Sequence, residues 1–208
     1  MTIKKIFYLL SLFAIYSLFS LNQGYAQQMY TVGTYQISLP LGDTKEYTGN
    51  TSFRGIGFDF RYSVKKATTV GLSLGWNVFY ERIRKTSEIK TEHPGSITGT
   101  QDRFLNAFPI MANVHYYFGE KRGIRPYIGL NAGGYYMLQR FEIGIISLKE
   151  DRWDWGIAPE AGIVFPVDEG YAIIINGKYN YAFSGMSPLG TDIKHSYLGI
   201  NVGFVWVR

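Results

Sequence analysis

The chain has 208 residues, a formal net charge of +5, no cysteine, 24 glycines and 17% aromatic residues. The absent cysteines exclude disulfides, zinc–thiolate sites, cysteine nucleophiles and lipidation together. The charge is too mild to point to nucleic acid, and the length suits one domain.

Residues 1 to 26 read as a secretory signal peptide. Lys4 and Lys5 give a positive start, Ile6 to Leu21 is uncharged and apolar, and Gly24-Tyr25-Ala26 offers small residues around a cleavage site. Cleavage there would leave a domain of residues 27–208 with 19 basic against 16 acidic residues, a net +3. The other reading of this segment is a membrane anchor, for which the apolar core is short against the roughly 20 residues of a span.

Eight segments then alternate with period two, the signature of strands whose side chains face opposite sides. They run from Met29 to Leu39, Arg54 to Val64, Thr69 to about Arg82, Phe104 to Phe118, Tyr127 to about Arg140, Trp153 to Phe165, Tyr171 to Phe183 and Tyr197 to Val207. In the second, Ile56, Phe58, Phe60, Tyr62 and Val64 oppose Gly55, Gly57, Asp59, Arg61 and Ser63. In the last, Leu198, Ile200, Val202, Phe204 and Trp206 oppose Gly199, Asn201, Gly203, Val205 and Val207.

The connections alternate in length. Lys65 to Thr68, Gly119 to Pro126 and Pro166 to Gly170 are short, whereas Pro40 to Phe53, Ile83 to Arg103, Phe141 to Arg152 and Ser184 to Ser196 are longer. Short periplasmic turns and long external loops have this asymmetry in outer-membrane barrels. No helix-period segment is evident. Aromatic residues gather at the segment ends, as two interfacial belts require. Trp76, Tyr80, Phe104, Trp153, Trp155 and Tyr181 form the outer set, and Tyr62, Tyr116, Phe118, Phe165, Tyr171 and Trp206 the periplasmic set.

A soluble barrel turned the other way out would also alternate. Its exterior would carry Lys, Glu, Asp and Thr. Here the non-greasy face is mostly Gly, Ala, Ser and Asn, which suits the narrow lumen of eight strands. The expected fold is therefore an all-β, eight-stranded, antiparallel up-and-down transmembrane barrel. Pro109 and Pro159 fall inside strands. Each calls for a bulge or a skipped hydrogen bond, because a closed barrel has no edge.

Phe108-Pro109-Ile110 leading to His115-Tyr116-Tyr117-Phe118-Gly119, then Arg125-Pro126-Tyr127-Ile128-Gly129, resembles the small outer-membrane β-barrel proteins of Bacteroidetes, the porin-like or PorT-like group. Ala158-Pro159-Glu160-Ala161-Gly162 is similar to a stretch of the same group. The resemblance implies an eight-stranded barrel like OmpX and the OmpA membrane domain. It implies no single activity, since the group is functionally mixed. Asn201, Gly203 and Trp206 resemble the C-terminal signal read by the barrel-insertion machinery, while Arg208 departs from it.

Asp59, Arg61, Asn113, His115, Glu160, Lys178 and Asn180 fall on the inward face. Charges in a narrow lumen need partners, so an interior polar network is expected, with a salt bridge between Glu160 and Lys178. A catalytic carboxylate is the competing reading. Of the other histidines, His93 lies at a loop tip and His195, next to Ser196, near the outer rim. A lipid-modifying enzyme could use that rim, although adjacent strand residues point apart. No metal spacing, phosphate loop or dinucleotide fingerprint appears, and no cofactor is expected.

Two readings of the long loops stay open. Alternation continues through Glu81 to Glu92 and through Phe141, Ile143 and Ile145, with a turn at His93-Pro94-Gly95-Ser96. These strands either protrude as a sheet able to pair with a protein partner, or fold over the mouth. Arg82, Arg84 and Lys85 lie just above the outer belt, near anionic headgroups and lipopolysaccharide. The functional expectation is a non-enzymatic outer-membrane protein, structural or engaged in surface attachment and recognition. The rivals are a component of a secretion or envelope-assembly machine and a lipid-modifying enzyme.

Overall fold

A computed structural model describes residues 28–84, 100–120, 123–144, 146–183 and 194–208. The proposed signal peptide, Lys85 and the turn at 93–96 lie outside the described residues. Eight strands form a closed antiparallel barrel in chain order: β1 (Met29–Leu41), β2 (Ser52–Lys65), β3 (Thr68–Ile83), β4 (Gln101–Tyr117), β5 (Arg125–Ile143), β6 (Ile146–Asp168), β7 (Tyr171–Ala182) and β8 (His195–Val207). β1 closes the barrel on β8 from Tyr30↔Val207 to Leu41↔Ser196. Among the described residues no helix is long and apolar enough to cross a membrane.

The period-two pattern becomes an inside and an outside. Ile56, Phe58 and Phe60 of β2, and Ile200, Val202 and Phe204 of β8, are exposed on the outer wall, whereas Asp59, Arg61, Asn201 and Val205 are buried inside. An apolar exterior this continuous is unfavourable in water. The closed ladder leaves no backbone edge at barrel level, so a bilayer can solvate that wall. One rung of it is an aromatic ladder. Trp76, Phe108, Tyr136 and Trp153 follow one another across β3, β4, β5 and β6, with ring centroids 5.7, 6.2 and 5.1 Å apart. Trp76 Nε1 donates to Asn106 and the Tyr136 hydroxyl to Asp151, so the polar edges of the rings are satisfied as at a membrane interface.

Both strand prolines meet the ladder by a skipped pair rather than a bulge. β3 and β4 pair at Leu74↔Ile110 and next at Asn77↔Ala107, passing over Pro109 without a change of register. β6 and β7 pair at Ile157↔Tyr181 and next at Glu160↔Lys178, passing over Pro159. On the other side of each proline the ladder is continuous, through Pro109↔Tyr135 and Leu130↔Pro159. A missing N–H therefore weakens one seam only.

Two sequence expectations are corrected. Phe141 to Arg152 is not a loop. β5 and β6 stay paired up to Ile143↔Ile146, and the turn begins at Gly144 with a φ of 57°. Alternation there was a strand signal that continued beyond the membrane. The β1–β2 connection contains a helix, α1 (Gly42–Tyr47). Six residues are too few to show a helical period, and such a helix persists through its contacts rather than its propensity. Of the two continuations left open, β5–β6 protrudes as a sheet, and 85–99 of the β3–β4 connection lies outside the described residues; the β1–β2 connection, with its helix, is the one that folds over the mouth.

Candidate functional site: a filled lumen and its closed mouth

The lumen is built in three layers. At the short-turn end, Val32, Tyr117, Tyr127, Ala172, Ile174 and Val205 pack together, with Tyr30 and Val207 against them. At the long-loop end, Phe79, Leu105, Met111, Tyr135, Met137 and Tyr197 pack with small alanines. A polar layer lies between.

The structure brings Asp59, Arg61, His115, Glu160 and Lys178 together in that layer, and the other two residues expected on the inward face, Asn113 and Asn180, are buried as well. Glu160 is its hub. Its Oε1 lies 3.2 Å from Arg61 Nη2, and its Oε2 lies 3.1 Å from Lys178 Nζ and 3.7 Å from His115 Nε2. Tyr127 donates its hydroxyl proton to Oε1 at 2.5 Å, Asn176 donates to Oε1 at 3.1 Å, and Asn131 donates to Oε2 at 3.2 Å. Arg61 also holds Asp59 at 2.5 Å and donates to the Tyr117 hydroxyl at 3.0 Å, with its guanidinium 5.2 Å from the Tyr127 ring centroid. Two carboxylates, Asp59 and Glu160, face two cationic side chains, Arg61 and Lys178, so their formal charges balance. That balance is what allows four charges to stay out of water.

Sequence reasoning missed Tyr117, Tyr127, Asn131, Asn176 and Ser73 as members of the network. Their inward parity on β4, β5, β7 and β3 was readable. That tyrosines would bridge the charges was not, because their reach depends on which strands face one another across the lumen. The Gly129 Cα opposes His115, and a Cβ there would collide with the imidazole. The absent side chain is what leaves room for the ring.

α1 and its flanks close the mouth. Thr44 and Thr48 are fully buried, and Tyr47 packs on the upper apolar layer. The Ser196 N–H donates to Thr44 Oγ1 at 2.9 Å, and Thr44 Oγ1 lies 3.2 Å from His195 Nδ1. His195 Nε2 lies 2.9 Å from the Gln139 amide. On the far side, Arg103 donates to the carbonyls of Glu46 and Tyr47. The Tyr47 hydroxyl donates to the Arg140 carbonyl at 3.2 Å, and burial raises its pKa above the usual phenol value.

This geometry bears on the rim histidine. The Ser196 hydroxyl donates to the Leu41 carbonyl, and the group on His195 Nδ1 is the buried Thr44 hydroxyl. Ser196 and Thr44 are both buried. A lumen filled at both ends should also pass no ions. Purified protein in planar bilayers should show no sustained channel steps, and a steady open conductance would contradict the packing.

The predicted headgroup residues fare differently from one another. Arg82 is half-exposed and grips Asp102 through Nε at 2.7 Å and Nη2 at 3.0 Å. Arg84 is exposed beyond the end of β3, and Lys85 lies outside the described residues.

No family model matches the chain, and no curated protein does either. Solved structures do match. Neisserial surface protein A superposes with a TM-score of 0.51 at 11% identity, covering 88% of this chain and 97% of the other. The outer membrane protein OprG from Pseudomonas aeruginosa superposes with a TM-score of 0.52 at 16% identity, covering 88% and 96%. At these identities the likeness is one of fold: this chain has the architecture of the small eight-stranded outer-membrane β-barrels.

Proposed function

We propose that the protein is an integral outer-membrane barrel that works without catalysis, as a structural element and a surface for attachment and recognition. The observation that carries this reading is the contrast between lumen and rim. The interior is filled and charge-balanced, whereas β3 to β6 continue past β7 as a protruding sheet that carries the β5–β6 hairpin. β6 runs 23 residues against 12 in β7. The hairpin presents Leu148 at 63% exposure, and Trp153 and Trp155 stand exposed near its base. Large exposed apolar groups above a membrane surface are typical of contact sites. The two structural neighbours support the location, one being called a surface protein and the other an outer membrane protein.

The chain has no cysteine, so single cysteines test this directly. Leu148→Cys should react with a membrane-impermeant maleimide on intact cells. Glu169→Cys, in the short β6–β7 turn, should react only after permeabilisation. The protein should partition with the outer membrane and migrate heat-modifiably in detergent gels. Recovery as an aqueous periplasmic protein, or the reverse labelling pattern, rejects the reading. Lipid A from a deletion strain should keep its acylation pattern, and an altered pattern would instead favour the lipid-modifying enzyme.

A further inference from the structure

Lys178 Nζ pairs with Glu160 and donates a hydrogen bond to Ser73 Oγ at 3.3 Å, which accounts for two of its three N–H groups. Beside it lies a small cavity of about 10 Å³, lined among others by Gln36, Ser73, Lys178, Tyr197, Gly199 and Asn201. Its chemistry is mixed. Tyr197 Oη accepts a hydrogen bond from Asn77 and retains its own proton to donate. Asn201 Oδ1 is buried and accepts from no protein group. Glycine borders the space: a Cβ on Gly199 would sit 3.3 Å from Asn201 Oδ1, whereas one on Gly75 would meet the Pro109 ring at 2.8 Å.

We infer that this cavity is a binding site for a single structural water, held between Lys178 and Tyr197 as donors and Asn201 and Gln36 as acceptors. Size and polarity agree. A cavity of this size holds about one water molecule, and a buried water is retained where two to four polar partners converge. Larger occupants do not fit the volume. Leu74, Pro109 and Met111 share the lining, but Lys178, Tyr197, Asn201 and Gln36 supply enough polar partners for one water, and the charge of Lys178 is already balanced by Glu160, which leaves no need for an anion. The water completes the hydrogen bonding of a buried ammonium and couples the ionic hub to the Asn77–Tyr197 pair above it. It stands independently of any surface role for the protein.

The test counts long-lived waters by oxygen-17 magnetic relaxation dispersion in the refolded, full-length barrel. Gly199→Ala places a methyl group in the cavity and should remove one long-lived water. Gly199→Ser places a hydroxyl there, which should also remove the water yet be more stable than Gly199→Ala, because it can take over the bonds to Lys178 and Asn201. Heat-modifiable migration establishes that each variant is folded. If both folded variants keep the wild-type count, the cavity is dry and the inference is overturned. It is also overturned if the serine variant loses as much stability as the alanine variant. Should Gly199→Ala fail to fold, the serine variant alone decides the count.

Discussion

Replacing Glu160 with alanine should cost about 3–5 kcal/mol of stability, the penalty for leaving buried charge uncompensated. The variant would retain Arg61 and Lys178 in the lumen with only Asp59 against them, and would strip Tyr127, Asn131 and Asn176 of their shared acceptor. Lys178→Met should cost less. Among the described residues Lys178 bonds Glu160 and Ser73, and Glu160 would keep Arg61. Urea unfolding of the refolded barrel in detergent, followed by tryptophan fluorescence, gives both values. If Glu160→Ala loses less than Lys178→Met, Glu160 is not the hub that its contacts describe.

An arginine at Val202 should cost about 2–4 kcal/mol and reduce assembly in the membrane, as expected for a cation on the lipid face near the bilayer midplane. Val202 is 47% exposed at the middle of the outward row of β8. The same arginine at Leu148 should change stability by less than about 0.5 kcal/mol, as for an ordinary surface site. Leu148 is the more exposed of the two. In water the two substitutions would be about equally tolerated, so the difference between them reports lipid rather than solvent exposure. Equal, small effects at both positions would place the β8 wall outside the bilayer.

The aromatic wall explains why so many large apolar side chains are outside. The lumen does accept some large residues, including Phe79, Tyr127, Tyr135 and Tyr197. They fit because alanines and glycines stand near them, such as Ala107, Ala158 and Ala182 in the upper layer. Volume is thus balanced across the barrel rather than along any one strand. The expectation of a small-residue interior described each strand correctly on average and missed this cross-lumen exchange of large for small.

The sequence alone determined which side of each strand meets lipid. That follows from the fixed two-residue alternation, which needs no partner strand to be read. It likewise placed Asp59, Arg61, His115, Glu160 and Lys178 on the inward face, and it located the skipped pairs at Pro109 and Pro159, because a missing N–H is a property of the residue itself. Only the tertiary structure decided that Glu160 gathers both cations and that Tyr117 and Tyr127 bridge them. Those contacts span 56 residues between Arg61 and Tyr117 and 99 between Arg61 and Glu160, and no local pattern encodes who faces whom across a lumen. The same holds for α1, whose one and a half turns are fixed by Ser196, His195 and Arg103 from distant strands. It holds also for Arg82, whose pairing with Asp102 depends on the β3–β4 register. Local periodicity sets the face, and closure of the barrel sets the partners.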